Sequence, residues 1–272
     1  MKEILSERGL ILCGCGKMGT ALLNGWKSAG VDLKKISVLE PNPSPWLYSL
    51  MNTGLKLNHP PIESPQICIL AVKPQMIGEL FSQINFKDKK NTLFISIAAG
   101  IKIDKLESSL GKQTPIVRVM PNTPSSIKKG VSCLIHNEMT TENQIILAEA
   151  LFSVVGETIR LETELEMDAV TAISGSGPAY VFYLIETMTE AGCALGLKME
   201  LSQKLAMLTV AGAGALAEQS DELPDKLREN VTSPKGTTEA ALEILMNPIN
   251  GLSPIMKRTI TAAYARSKDL GS

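Results

Sequence analysis

The stretch from Leu10 to Ala29 constrains this chain more than any other. Leu10-Ile11-Leu12-Cys13 is an apolar run of strand length, and Gly14-Cys15-Gly16-Lys17-Met18-Gly19 fits G-x-G-x-x-G. The segment from about Lys17 to Ala29 has the period of an amphipathic helix. Alone the hexapeptide says little, because glycine-rich turns are common. Between a strand and a helix it acquires a mechanism. The first glycine permits the tight turn, the second lets backbone approach a pyrophosphate, and the third lets helix and strand pack closely. The helix N-terminus adds unpaired N–H groups and partial positive charge. This is the pattern of a dinucleotide-binding unit. The competing reading is a structural turn with no ligand.

Such a unit calls for an acidic residue about 20 positions later, at the end of the second strand, to bond a ribose 2′-hydroxyl. Glu40 stands there. The loop that follows, Pro41-Asn42-Pro43-Ser44-Pro45, has no arginine or lysine to pair with a 2′-phosphate. These residues favour NADH over NADPH, with an exposed loop glutamate as the plainer account of Glu40.

Strand-like and helical segments continue to alternate after the glycine loop. Strands are expected at Ile36–Leu39, Ile67–Val72, Thr92–Ala98, Ile116–Met120 and Val131–Ile135. Helices are expected at Pro74–Ile84, Lys102–Leu110 and Glu142–Val155. Alternation of this kind predicts parallel pairing through crossover helices, hence a doubly wound sheet. From about Glu164 the strand signal disappears. Leu165–Ile173, Pro178–Leu195, Leu201–Gln219, Pro224–Asn230, Thr238–Met246 and Ser253–Asp269 all read as helices. The expected organisation is an α/β Rossmann domain over residues 1–163 and an all-helical domain over 164–272. Within the helical half, Ala211-Gly212-Ala213-Gly214-Ala215 is unusual, since glycine in a helix costs about 1 kcal/mol against alanine. Close packing against another helix would offset that cost. So apolar a half points to a subunit interface as much as to a private core.

Composition excludes several alternatives. With 27 basic and 28 acidic residues the net charge is −1, which gives no footprint for nucleic acid. The apolar stretches Ala169–Ile185 and Met207–Ala217 are interrupted or short, so no membrane span is expected. Glu3, Glu7 and Arg8 at the N-terminus do not make a signal peptide, and the expected location is the cytoplasm. Five scattered cysteines, Cys13, Cys15, Cys68, Cys133 and Cys193, read as reduced thiols rather than a disulfide framework. With only His59 and His136 besides, no metal site is expected.

Five further motifs, in order along the chain, resemble the pyrroline-5-carboxylate reductase family. They are Ala71-Val72-Lys73-Pro74; Ser96-Ile97-Ala98-Ala99-Gly100; Arg118-Val119-Met120-Pro121-Asn122-Thr123-Pro124; Ser174-Gly175-Ser176-Gly177-Pro178-Ala179-Tyr180; and Val231-Thr232-Ser233-Pro234 with Gly236-Thr237-Thr238-Glu239-Ala240-Ala241. The resemblance implies a C-terminal dimerisation domain that interlocks with a second subunit, as a dimer or higher oligomer. It implies hydride transfer from NADPH or NADH to the imine carbon of 1-pyrroline-5-carboxylate, giving L-proline.

By position, the resemblance places the cofactor against Gly14, Cys15, Gly16, Lys17, Met18, Asn58, Ala71, Val72, Lys73 and Pro74; Gly19, Glu40, Ala98, Ala99, Gly100 and Asn122 complete the expected cofactor-binding set. It places the substrate against Ser174, Gly175, Ser176, Gly236, Thr237 and Thr238, with Thr238 catalytic through the carboxylate and the ring nitrogen. Either Asp221 or Glu222 meets the ring nitrogen; spacing leaves both open. A helix N-terminus bearing a hydroxyl is a ready carboxylate site, although Thr237-Thr238 before Glu239 also reads as an ordinary cap.

The chain departs from the family at two places. Lys235 replaces the first of a glycine pair; it is strained if the position needs positive φ, and otherwise sets an extra positive charge near an anionic substrate and assists its capture. Glu40 stands where many relatives carry small polar or basic residues.

Two other readings compete. A β-hydroxyacid or 6-phosphogluconate-type dehydrogenase needs a base, usually a lysine on the first long helix of the second domain. Ala179–Leu195 has none. A dinucleotide-sensing protein that kept only the fold would have no use for a substrate turn such as Gly236–Thr238.

Overall fold

The computed structural model describes residues 4–59, 63–83, 86 and 89–271. In chain order they form β1 (Leu10–Cys13), α1 (Lys17–Ser28), β2 (Ile36–Leu39), α2 (Pro45–Ser49), β3 (Lys56–Leu57), β4 (Ile67–Leu70) and α3 (Ile77–Gln83). Then come β5 (Leu93–Ser96), α4 (Ile103–Leu110), β6 (Ile116–Met120), β7 (Gly130–His136), α5 (Glu142–Ser153) and β8 (Gly156–Arg160). The rest is helical: α6 (Glu166–Val170), α7 (Gly177–Ala194), α8 (Met199–Gln219), α9 (Pro224–Asn230), α10 (Thr237–Leu245) and α11 (Leu252–Leu270). The helix expected over Pro74–Ile84 is a short 3-10 turn, Pro74–Met76, leading into α3; Ile84 lies outside the described residues.

All eight strands join one sheet in the order β3-β2-β1-β4-β5-β6-β7-β8. The strand order reverses beside β1, which pairs in parallel with β2 on one side and β4 on the other. Every residue of β1 and β4 is buried. That fits strands covered by helices on both faces, with alternate side chains feeding opposite layers. Leu10 and Leu12 join one core with Leu22, Trp26 and Phe152, and Trp26 Nε1 donates to the Leu151 carbonyl at 2.8 Å. Ile11 and Cys13 join the other, with Cys68, Phe94 and Leu106.

The all-parallel expectation is corrected at one pairing, because β7 runs antiparallel to β6. Only residues 121–129 connect them, too few for the dozen or more that a parallel crossover needs. The sequence reading also omits β3, α2 and β8. β3 has two residues, and β8 is a polar, largely exposed edge strand without the apolar run that marks a buried one.

The chain divides into two compact units, Met1–Gly175 with Tyr264–Ser272, and Ser176–Ala263. The sequence divides it instead between 163 and 164. Residues 164–175 pack with the sheet because Met167 and Ala172 are fully buried there. Buried Arg118 of β6 donates to Glu164 Oε1 at 2.8 Å, and Ile103 N donates to the same oxygen at 2.9 Å. The chain's end returns to this unit: Ser267 Oγ donates to Asp168 Oδ1 at 2.6 Å. In the second unit α7 and α8 form an antiparallel hairpin. Gly196, at φ 94°, turns the chain, and Ser202 Oγ donates to the Thr189 carbonyl at 2.7 Å. No described helix is long and apolar enough to cross a membrane.

Candidate active site

The first and third glycines of the loop serve the turn and the helix–strand packing that their spacing predicts. Gly14 sits at φ 93°, and a Cβ there would lie 2.5 Å from the Ala71 carbonyl oxygen. At Gly19 a Cβ would lie 2.6 Å from the Gly14 carbonyl oxygen. Both glycines are therefore fixed by backbone packing. Gly16 differs, since a Cβ there would meet nothing within 4 Å. Gly16 is also the N-cap of α1 and offers no side-chain cap, so the first-turn N–H groups of Lys17, Met18 and Gly19 have no acceptor among the described residues. Open backbone and uncapped donors at a strand reversal fit a dinucleotide pyrophosphate.

Glu40 stands at the end of β2 with both carboxylate oxygens engaged. Oε2 accepts from Cys15 N at 2.7 Å and Oε1 from Asn42 N at 3.0 Å. Asn58 holds the adjoining backbone in place: its Oδ1 accepts from Glu40 N and its Nδ2 donates to Glu40 O, each at 2.8 Å. Asn58 does so from φ 52°. This left-handed conformation is one that asparagine tolerates better than most residues. Glu40 and Asn58 line a cavity of about 280 Å³ with Val72, Met76, Glu79 and Leu80. Met76, Glu79 and Leu80 are absent from the sequence reading. The signal was available, since positions three and four apart past Pro74 share a helical face.

Burial pushes the Cys15 thiol up; its hydrogen bond with Thr20 opposes this and the Glu40 carboxylate adds to it. Cys15 is thus a neutral loop residue, not a nucleophile. All five cysteines are free.

Ala71–Pro74 follow β4, and Ala98–Gly100 follow β5, on the same carboxyl edge of the sheet. Gly100 has a structural reason of its own, with φ 80° and room for a Cβ only 2.8 Å from Leu270 Cβ. Asn122, after β6, is fully engaged: Val131 N donates to its Oδ1 at 3.0 Å, and its Nδ2 donates to the Ser174 carbonyl at 3.1 Å. That carbonyl needs the bond. Four residues on, where an α-helix would supply a donor, stands Pro178, which has no N–H. Around it Thr171–Gly175 relaxes into a π turn, a geometry frequent at functional sites. Ser174, Gly175 and Ser176 therefore form the junction between π turn and α7.

In the second unit, Gly236 caps α10 without a side chain, and Thr237 and Thr238 open it. Their hydroxyls make no hydrogen bond among the described residues, and Thr238 is half-buried. Lys235 does adopt positive φ, at 58°, as the sequence warned. Its N–H donates to Glu239 Oε2 at 2.6 Å, so Glu239 turns back onto the loop and leaves the first α10 donors open. Between α8 and α9, Glu222 Oε2 accepts from Asn230 Nδ2 at 2.8 Å, whereas the Asp221 carboxylate has no partner among the described residues.

Comparison with known proteins adds the chemistry. Residues 164–270 match the family model described as pyrroline-5-carboxylate reductase dimerisation. Residues 9–100 match that described as NADP oxidoreductase, coenzyme F420-dependent. The pyrroline-5-carboxylate reductase of Pseudomonas aeruginosa is 36% identical over 269 residues, covering 98% of this chain and 98% of that relative. Pyrroline-5-carboxylate reductase 1 of Bacillus spizizenii is 33% identical and covers 99% of this chain and 92% of its own. Among solved structures, a pyrroline-5-carboxylate reductase from Coxiella burnetii superposes with a TM-score of 0.87 at 33% identity, covering 98% of this chain and 100% of that one. Plasmodium falciparum pyrroline carboxylate reductase with NADP bound gives 0.85 at 31% identity, covering 100% of both.

Proposed function

The chain belongs to the pyrroline-5-carboxylate reductase family, and from that premise we propose how its own residues carry the family's reaction. The enzyme reduces 1-pyrroline-5-carboxylate to L-proline, with NADPH or NADH as reductant. The bound nicotinamide supplies the hydride. A protonated cyclic imine is already a good hydride acceptor, so the protein's task is to bind, orient and exclude water. The Gly14–Gly19 loop and the uncapped start of α1 hold the pyrophosphate. Glu40, Asn58 and Ala71–Pro74 hold the adenosine side, and Ala98–Gly100 with Asn122 shape the edge toward the nicotinamide. The observation that carries the reading is the open Gly16 backbone at the strand reversal, in a chain related along its whole length to these reductases.

For the substrate, the open N–H groups of α10 and the unengaged hydroxyl of Thr238 suit a carboxylate, which the helix dipole also favours. Ser174, Gly175 and Ser176 form the second substrate segment. Of the two acidic candidates, Asp221 is the better partner for the iminium nitrogen, because Glu222 is engaged by Asn230. In this division of labour residues 1–163 serve the cofactor and 164–272 serve substrate and assembly.

Self-association is part of the same function, and at least a dimer is proposed. Within Ser176–Ala263 only Thr189, Ser202, Ala206 and Gly251 are buried, while Phe182, Tyr183, Leu208 and Leu216 stand more than half exposed. A Cβ on Gly212 or Gly214 would meet nothing within 4 Å, so the close packing expected of that strip is not supplied by the described residues of this chain. A second copy supplies it. Sedimentation at micromolar concentration is expected to show dimers or larger, and a monomer would contradict the assignment. The near-neutral charge supports a small-molecule enzyme without nucleic-acid partners, and the free cysteines support a reducing, cytoplasmic setting.

The decisive assay follows nicotinamide absorbance with purified protein. Loss of NADH or NADPH absorbance is expected only when pyrroline-5-carboxylate is added. Folded protein without imine-dependent oxidation of either nucleotide would refute the reaction.

A further inference from the structure

The segment after β5 that the reductase reading sets beside the nicotinamide is poor in hydrogen bonds. Ala99, Gly100 and Ile101 neither donate nor accept through their backbone among the described residues. Hydrogen bonds tie the segment on either side: Ile97 N donates to the Leu70 carbonyl at 3.1 Å, and Ile103 N to Glu164 Oε1 at 2.9 Å. Between those ties, packing sets where the backbone lies.

That packing comes from the end of α11. Gly100 is buried at φ 80°, and a Cβ on it would lie 2.8 Å from Leu270 Cβ and 3.0 Å from the Leu270 carbonyl carbon. The approach is reciprocal. A Cβ on Gly271 would lie 2.5 Å from the Gly100 carbonyl oxygen. Gly271 does not have positive φ, so close approach alone asks for glycine there. The end of α11 is itself anchored. Ser267 is 3% exposed, and its Oγ donates to Asp168 Oδ1 at 2.6 Å, next to fully buried Met167. Gly271 N closes the last turn on the Lys268 carbonyl at 3.1 Å.

The plainer account is that α11 is stitched to the sheet unit at a convenient place. Two observations favour a role at the site. The contact falls on the stretch that has no backbone hydrogen bonds of its own, and at Gly271 it is backbone against backbone. With no flexible side chain to give way, a close-packed contact transmits displacement instead of absorbing it.

We propose that the last turn of α11, Ser267–Gly271, holds the Ala98–Gly100 segment in place for the nicotinamide, with Ser267 and Gly271 as positioning residues acting through Gly100. The proposal rests on the reductase reading for the identity of the ligand, but its binding test needs no turnover.

The experiment uses the intact protein carrying Gly271→Ala or, separately, Ser267→Ala. Calorimetric titration compares NADH or NADPH, whichever wild type binds more tightly, with the same nucleotide lacking nicotinamide (ADP-ribose or its 2′-phosphate). Gly271→Ala is expected to weaken dinucleotide binding several-fold and to lower kcat about tenfold, because small displacements near reacting atoms are costly. Affinity for the fragment and KM for pyrroline-5-carboxylate should stay as in wild type, since neither the Gly14–Gly19 loop nor α10 is altered. Ser267→Ala adds no atom and should show the same split at smaller size, which decides the matter should Gly271→Ala fail to fold. Fragment and dinucleotide weakened alike, or neither weakened by either variant, would overturn the proposal. The split in binding, with no imine-dependent oxidation by wild type, would uphold it while overturning the reaction.

Discussion

Thr238→Ala is expected to lower kcat/KM for pyrroline-5-carboxylate ten- to a hundredfold, with little change in melting temperature. The hydroxyl is half-buried at the second position of α10 and has no partner among the described residues, so the fold asks nothing of it. A hydrogen bond from it to a charged carboxylate contributes about 1.5–3 kcal/mol, which is that range in rate. Thr238→Ser should recover most of the loss, because it keeps the donor. Thr123→Ala is the internal comparison. Thr123 opens the 3-10 turn Thr123–Ile127 beside Asn122, and its carbonyl already accepts from Ser126 Oγ at 3.1 Å. Its loss is expected to matter much less. Equal and small effects from both substitutions would show that the substrate turn lies elsewhere.

The sequence made the cofactor half legible because its chemistry is local. Gly14, Gly16 and Gly19 announce themselves by spacing, and the backbone approaches at Gly14 and Gly19 show why no other residue serves there. Lys235 was legible in the same way: a lysine in a glycine position predicted strain if φ is positive, and φ is 58°. What the sequence could not give were relations between distant residues. Nothing in the order of residues says that Glu79 shares a cavity with Glu40, or that Asn230 takes Glu222 and leaves Asp221. Likewise the bond from Asn122 to Ser174 is invisible until Pro178 is seen to leave that carbonyl without a donor. The direction of β7 was legible in principle. The connection at residues 121–129 is too short for a crossover, and loop length, weighed before alternation, would have given it.

Removing Glu164 is expected to destabilise the protein by about 3–5 kcal/mol, the cost of leaving a buried charge without its partner. The asymmetry of the pair makes the prediction sharp. The Arg118 side chain is 4% exposed and that of Glu164 is 29% exposed, so water can reach the carboxylate but not the guanidinium. Glu164→Ala therefore strands a charge in the core and also deprives Ile103 N of its acceptor. Arg118→Met strands only a carboxylate that solvent can hydrate, and should cost less. Pairing the two, Arg118→Met with Glu164→Ala, removes both charges and should recover much of the loss, as replacement of buried ion pairs by apolar residues often does. For a fold of this size each kcal/mol shifts the melting temperature by roughly 2–4 °C, so Glu164→Ala should melt about 6–20 °C below wild type. Melting should be followed at one fixed protein concentration, because self-association makes it concentration-dependent. The consequence extends along the chain, since Glu164 anchors it immediately before α6 and the π turn that leads to Ser174–Ser176, the proposed substrate segment. If Arg118→Met instead proved the more damaging, or the double variant no better than Glu164→Ala alone, Arg118 would be acting through something other than this ion pair.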